Sequence, residues 1–149
     1  MDDNNPIIFS NRGLVNRKLE RYDEAIKDYS REIELTHNKK GGIQQNMKAL
    51  NNRAYCLAKQ QRYNEAIGDY SMVIQMDQYN IHALHNRGIS FERMGKYHQA
   101  IKDFEMVILI DPNNANAFFN RGCCYDSIGE IDLAISDYSV ALELDLKSG

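Results

Sequence analysis

The chain is poor in the residues that staple, anchor or interrupt a fold. Cysteine occurs three times, at Cys56, Cys123 and Cys124. An odd count with no C-x-x-C pair excludes a disulfide framework and reads as free thiols packed in helices, in a reducing, cytoplasmic compartment. Proline occurs twice, Pro6 placed to open a helix and Pro112 to close one. No apolar run approaches the roughly 20 residues of a membrane span. The first residues, MDDNNPIIFS, start acidic and lack a signal-peptide pattern, and no Asn-x-Ser/Thr acceptor occurs. A net charge of −3 gives no general attraction to nucleic acid or to anionic lipid, so neither is an expected partner. No P-loop, nucleophile elbow, paired-acid or zinc-protease motif is present, so neither catalysis nor a cofactor is expected.

What the chain has instead is repetition. With 43% hydrophobic and 26% charged residues it is globular, and one stretch recurs along it. Asn86 to Asp111 reads NRGISFERMGKYHQAIKDFEMVILID, and kindred copies start at Asn11, Asn52 and Asn120. Arg53, Arg87 and Arg121 are spaced by 34 residues, the period of a stack of helical hairpins. Arg12 to Arg53 is 41, seven more. Seven residues are close to two helical turns. The excess reads as a Gly41-Gly42 loop followed by a helix that starts early, with Ile43, Met47, Leu50 and Ala54 on one face. The repeats fall at about 6–39, 47–80, 81–114 and 115–148, in one domain, with the insertion at about 37–47.

Each copy reads as helix A, a turn, then helix B. Helix A is expected from Pro6 to about Leu19, to near Gln60, over Ala83–Met94 and over Ala117–Ile128. Helix B is expected over Tyr22–Thr36, Tyr63–Met76, Tyr97–Ile110 and Asp132–Leu144. Gly95 and Gly129 fall in the turns, where a positive φ is needed.

These residues resemble the tetratricopeptide repeat (TPR) family. Its small residue in mid helix A is matched by Gly13, Ala54, Gly88 and Gly122, its early helix-B alanine by Ala25, Ala66, Ala100 and Ala134, and the following aromatic by Tyr29, Tyr70, Phe104 and Tyr138. The glycine before helix B is replaced by Glu20 and Gln61 in the first two copies. Repeat one departs most, with Asn16 in place of an aromatic and Glu32 in place of a small residue. The resemblance implies an all-α fold, an alpha-alpha superhelix or right-handed solenoid of four antiparallel helix hairpins, and a non-catalytic scaffold binding a peptide or partner segment in a concave groove lined by the A helices. One hairpin cannot bury its own apolar stripe, so copies stack.

Some repeated residues read as scaffold. Arg12, Arg53, Arg87 and Arg121 are each matched by an Asp before the helix-B aromatic, Asp28, Asp69, Asp103 and Asp137, which predicts a ladder of ion pairs within or between hairpins. Asn11, Asn52, Asn86 and Asn120 precede the arginines. An amide both donates and accepts, so a row of them can hold an extended peptide backbone, as TPR proteins with asparagine ladders do. They can equally bond their own helix backbone or the ion pairs. Changing along the stack are Arg17, Lys18, Lys48, Lys59 and Tyr55 in the first two repeats, and His82, His85, Phe119, Glu92 and Asp126 in the last two, with Arg93 between. A groove basic at one end and acidic at the other would orient its ligand.

The family's clamp for a chaperone's C-terminal carboxylates uses Lys, Asn, Asn, Lys and Arg on three A helices. Ser10, Leu14, Asn52, His82 and Asn86 occupy those positions in one register, and Asn51, Tyr55, Asn86, Asn116 and Asn120 in the other. The cations are missing, so this ligand class is rejected. His82 and His85 near Cys123 make an incomplete metal corner with no fourth ligand, and no metal is expected. Helix B of repeat four (Ile135, Tyr138, Val140, Leu142, Leu144) is as apolar as an interior helix. It implies continuation in a longer protein, or assembly with partners or with itself through this helix or through the insertion.

Overall fold

The computed structural model describes residues 4–148, and all regular structure among them is α-helical. The helices are α1 (Pro6–Lys18), α2 (Tyr22–Thr36), α3 (Ile43–Lys59), α4 (Tyr63–Met76), α5 (Ile81–Arg93), α6 (Tyr97–Ile110), α7 (Ala115–Ser127) and α8 (Ile131–Ser148). They form two compact units, one ending at Gln78 and the other starting at Tyr79. In the first, α1 packs on α2, α2 on α3 and α3 on α4; in the second, α5 packs on α6, α6 on α7 and α7 on α8.

Asparagine starts three of the A helices. The side chains of Asn5, Asn80 and Asn114 each accept a hydrogen bond at 3.0 Å, from the N–H of Ile7, Ala83 and Ala117. Each satisfies one of the N–H groups that a helix start leaves over. The turns between A and B helices share one geometry. Lys96 N–H donates to Phe91 carbonyl and Arg62 N–H to Leu57 carbonyl, both at 2.9 Å. That turn needs one left-handed residue, which is Gly95 (φ 72°) and Gly129 (φ 82°) but Glu20 (φ 58°) and Gln61 (φ 60°) in the first unit. The backbone demands the conformation whether or not the sequence supplies glycine.

The core of each hairpin is an aromatic ring laid on a small residue. A Cβ added to Gly88 would stand 2.8 Å from Phe104, and one added to Gly122 would stand 2.9 Å from Tyr138. The missing side chain therefore sets how close the helices come. Tyr29, Tyr70 and Phe104 are fully buried, worth about 1.5–3 kcal/mol each as apolar burial. The ion-pair ladder closes within hairpins. Arg12–Asp28, Arg53–Asp69, Arg87–Asp103 and Arg121–Asp137 meet at 2.6, 2.7, 2.7 and 2.8 Å, and all four are two-pronged. Every aspartate of the ladder is buried and its arginine reaches outward, so each A helix is locked to its own B helix.

Helix α3 has 17 residues where α1, α5 and α7 have 13, so it does start early. Gly41 takes the left-handed conformation ahead of it. Gly42 is required for a different reason, because a Cβ there would meet the Thr36 carbonyl oxygen at 2.5 Å. Ile43 keeps the helical register of Met47, Leu50 and Ala54 but is not buried with them. It is exposed, and the buried stripe starts a turn later, at Asn46 and Met47. Helix α8 runs a turn past Leu144 because no proline or glycine interrupts DLKS. Glu32, where the pattern wants a small residue, is buried, and burial raises its carboxyl above the usual range while Gln45, Ser10 and Lys48 pull it back. Gln45 Nε2 donates to Glu32 Oε1 at 3.1 Å.

Candidate peptide-binding faces

The residues singled out from the sequence all lie on A helices: Asn11 and Lys18 on α1; Lys48, Asn52, Tyr55 and Lys59 on α3; His82, His85, Asn86 and Arg93 on α5; Phe119 and Asn120 on α7. In the first unit four residues converge. The Arg17 guanidinium sits 5.2 Å and the Lys59 ammonium 5.3 Å from the centre of the Tyr55 ring. Arg17 Nη1 also donates to Asn52 Oδ1 at 2.9 Å. Two cations on one ring are attracted to its electron-rich face, and the arginine fixes which way the Asn52 amide points. Its Nδ2 has no hydrogen-bond partner among the described residues and remains available to donate to a ligand's carbonyl. Asn11, Lys18 and Lys48 are exposed and join no cluster.

In the second unit the asparagines behave differently. Asn86 Nδ2 donates to the His82 carbonyl of its own helix at 2.9 Å. Asn120 Nδ2 lies 3.3 Å from His85 Nε2. With the amide donating, Nε2 accepts and the ring proton falls on Nδ1. Burial holds the His85 imidazole below its ordinary pKa, with His82 adding to the effect, so the ring is kept neutral. His85 also stands edge-on to Phe104, with centroids 5.7 Å apart. His82 and His85 are thus engaged with protein groups, and no group of metal-ligating side chains is assembled among the described residues. Arg93 is exposed at the end of α5.

Phe119 takes part in neither cluster. It lies beside Tyr138, centroids 5.7 Å apart, at a cavity of about 520 Å³ between α7 and α8 that Ala115, Asn116, Ala141, Leu142 and Asp145 also line. The cavity was not evident from the sequence. Its one trace there is the period, since Phe119 stands 34 residues after His85. The Arg17–Asn52 bond was missed too, because it joins two copies at non-equivalent positions. Two of the thiols are held protonated: burial pushes Cys56 up to about 11 and Cys124 up to about 12. No helix among the described residues is long and apolar enough to cross a membrane.

All-α hairpins with a small residue under each aromatic and an ion pair closing each one define the class of the helical-hairpin superhelix, and solved structures agree. The fold matches the crystal structure of MamA over 99% of this chain and 82% of that one, at 22% identity and a TM-score of 0.88. It matches YrrB, described as a TPR protein with an unusual peptide-binding site, over 96% and 70%, at 19% identity and a TM-score of 0.82. The first TPR of Spaghetti (RPAP3), bound to the HSP90 peptide SRMEEVD, matches over 67% and 79%, at 27% identity and a TM-score of 0.65. Tetratricopeptide repeat models match residues 48–80, 82–114 and 104–136, more than half of the chain, and the chain belongs to the tetratricopeptide repeat family. None of the curated proteins matches it in sequence.

Proposed function

We propose that this protein is a non-catalytic interaction scaffold that binds a peptide or partner segment along its A helices. The observation that carries this reading is the α1–α3 cluster, where Arg17 and Lys59 flank Tyr55 and Arg17 orients the Asn52 amide. An extended segment would give a backbone carbonyl to Asn52 and an acidic or aromatic side chain to the cation–ring stack. The peptide-bound neighbours support the class of function and not the ligand. The positions of a carboxylate clamp carry Ser10, Leu14, Asn52, His82 and Asn86 here, none of them a lysine or arginine, so a chaperone tail such as SRMEEVD is not the expected ligand.

The test is selection of peptides from a random displayed library on the wild-type chain, then titration of the enriched peptides into wild type, Tyr55→Ala and Asn52→Ala. Enrichment of acidic or aromatic sequences, with affinity falling tenfold or more in both variants at unchanged helix content, is expected. Enriched peptides that bind both folded variants as well as wild type would move the site elsewhere.

A further inference from the structure

Two faces of this chain that no neighbouring helix covers among the described residues match each other, and we propose that the protein self-associates by seating α1 of one copy on the α7–α8 hairpin of a second. Register carries this. Three residues after Arg12, Arg53 and Arg121 stand Val15, Cys56 and Cys124. Cys56 packs against Ala25 and Tyr29 of α2, and Cys124 against Ala100, Ile101 and Phe104 of α6. This is the position through which an A helix sits on the B helix before it. It is 0% exposed at Cys56 and Cys124 but 53% exposed at Val15. Four residues before the arginine, Ala49 and Ala117 are 1% and 0% exposed whereas Ile8 is 54% exposed. The Arg12 side chain is 62% exposed against 23% for Arg53 and 18% for Arg121. Helix α1 therefore presents an apolar docking face with nothing on it among the described residues.

The seat for such a face is on α7 and α8. Phe119 and Leu142, 53% and 62% exposed, flank the cavity there. Side-chain volume is exchanged between the two faces. Helix α1 carries Ile8 and Val15 where α3 and α7 carry alanine and cysteine. The seat carries Ala115 where α3 and α5 carry Met47 and Ile81, and Ala141 where α4 and α6 carry Val73 and Val107. The larger head group meets a pit left by the smaller seat, which is what close packing requires. Charge agrees. Helix α1 carries Arg12, Arg17 and Lys18 and no carboxylate, while α8 carries Asp132, Glu143 and Asp145, beside the paired Asp137, against Lys147. A ready polar partner exists as well. Arg53 Nη1 donates to Ser30 of the preceding B helix at 3.1 Å, and Ser139 holds the register of Ser30 on α8, placed to receive Arg12 of the second copy.

The two surfaces differ, so the contact is heterologous. Each pairing leaves one face of each kind open, and growth ends only if a ring closes. Of the residues of the α1–α3 cluster this inference draws on Arg17 alone, for its charge, and its test changes none of them, so it stands apart from the peptide reading. The test is sedimentation velocity on the full chain with Val15→Glu, Leu142→Glu and an equimolar mixture of the two. Expected are wild-type species that grow with concentration past the dimer, monomers for each variant alone, and dimers, but nothing larger, in the mixture, where one intact face of each kind remains. A wild type that stays monomeric, a Val15→Glu protein that associates as wild type does, or a mixture that remains monomeric would each overturn it. Both positions are exposed, so the fold should hold. If helix content drops, Leu19→Glu and Ile135→Glu, 56% and 58% exposed in wild type, replace them in the same three-way experiment.

Discussion

His85 shows how one side chain can report on the packing around it. Its Nε2 lies 3.3 Å from the Asn120 amide nitrogen and its ring against Phe104, an arrangement that favours the neutral imidazole, because a protonated Nε2 would face an amide N–H that also donates. Burial lowers its pKa, so over the window below the ordinary value near 6.5 the unfolded chain binds the proton more readily than the folded one. Stability should therefore rise with pH through that window and be lost as pH falls from 7 toward 5. Phenylalanine occupies the same register in the next hairpin, at Phe119, and His85→Phe is the matching change. In urea titrations at pH 7 and pH 5, the variant should lose less stability between the two than wild type. An identical loss would mean that His85 titrates in the folded state as it does in the unfolded one.

At the scale of the element, the turns explain both what was legible in the sequence and what was not. The hairpins, their order and most of their bounds could be read because the period, the small residue and the aromatic recur in register. Tyr63–Met76 and Tyr97–Ile110 were bounded by tyrosine and by Asp77 or Asp111, and the helices fall there. The Arg–Asp ladder was legible because each arginine had its aspartate at a constant spacing. Contacts between non-equivalent positions were not: Arg17 reaching Asn52, Asn120 reaching His85, and the burial of Glu32 depend on how one copy sits on the next, which no repeat pattern encodes. The left-handed Glu20 and Gln61 sit between the two cases, since their register with Gly95 and Gly129 marked the turn and their identity hid the conformation. A non-glycine residue pays about 1–2 kcal/mol to hold it, of which glycine's greater freedom in the unfolded chain takes back about 0.4–1. Gln61→Gly should accordingly stabilise the protein by about 0.5–1 kcal/mol. A rise in the urea midpoint with unchanged slope is the expected reading, and no rise would show that the Gln61 side chain makes compensating contacts.

At the scale of the whole molecule, association and stability are one equilibrium. If α1 of one copy seats on α7 and α8 of another, the bound state is available only to folded chains, and mass action stabilises it. Each tenfold rise in protein above the dissociation constant adds about 1.4 kcal/mol. At about 2–4 °C per kcal/mol for a chain of this length, the melting temperature of wild type should climb by about 3–6 °C per tenfold concentration. Val15→Glu and Leu142→Glu should each melt at one temperature whatever the concentration, and their equimolar mixture should recover the climb. Raising salt should shrink the wild-type climb, because Arg12, Arg17 and Lys18 on one face and Asp132, Glu143 and Asp145 on the other attract through solvent that screens them. Differential scanning calorimetry over two decades of concentration reads all of this from the wild type, the two variants and their mixture. A wild-type melting temperature that ignores concentration would leave Ile8, Val15 and Leu142 as exposed apolar residues without an occupant from this chain.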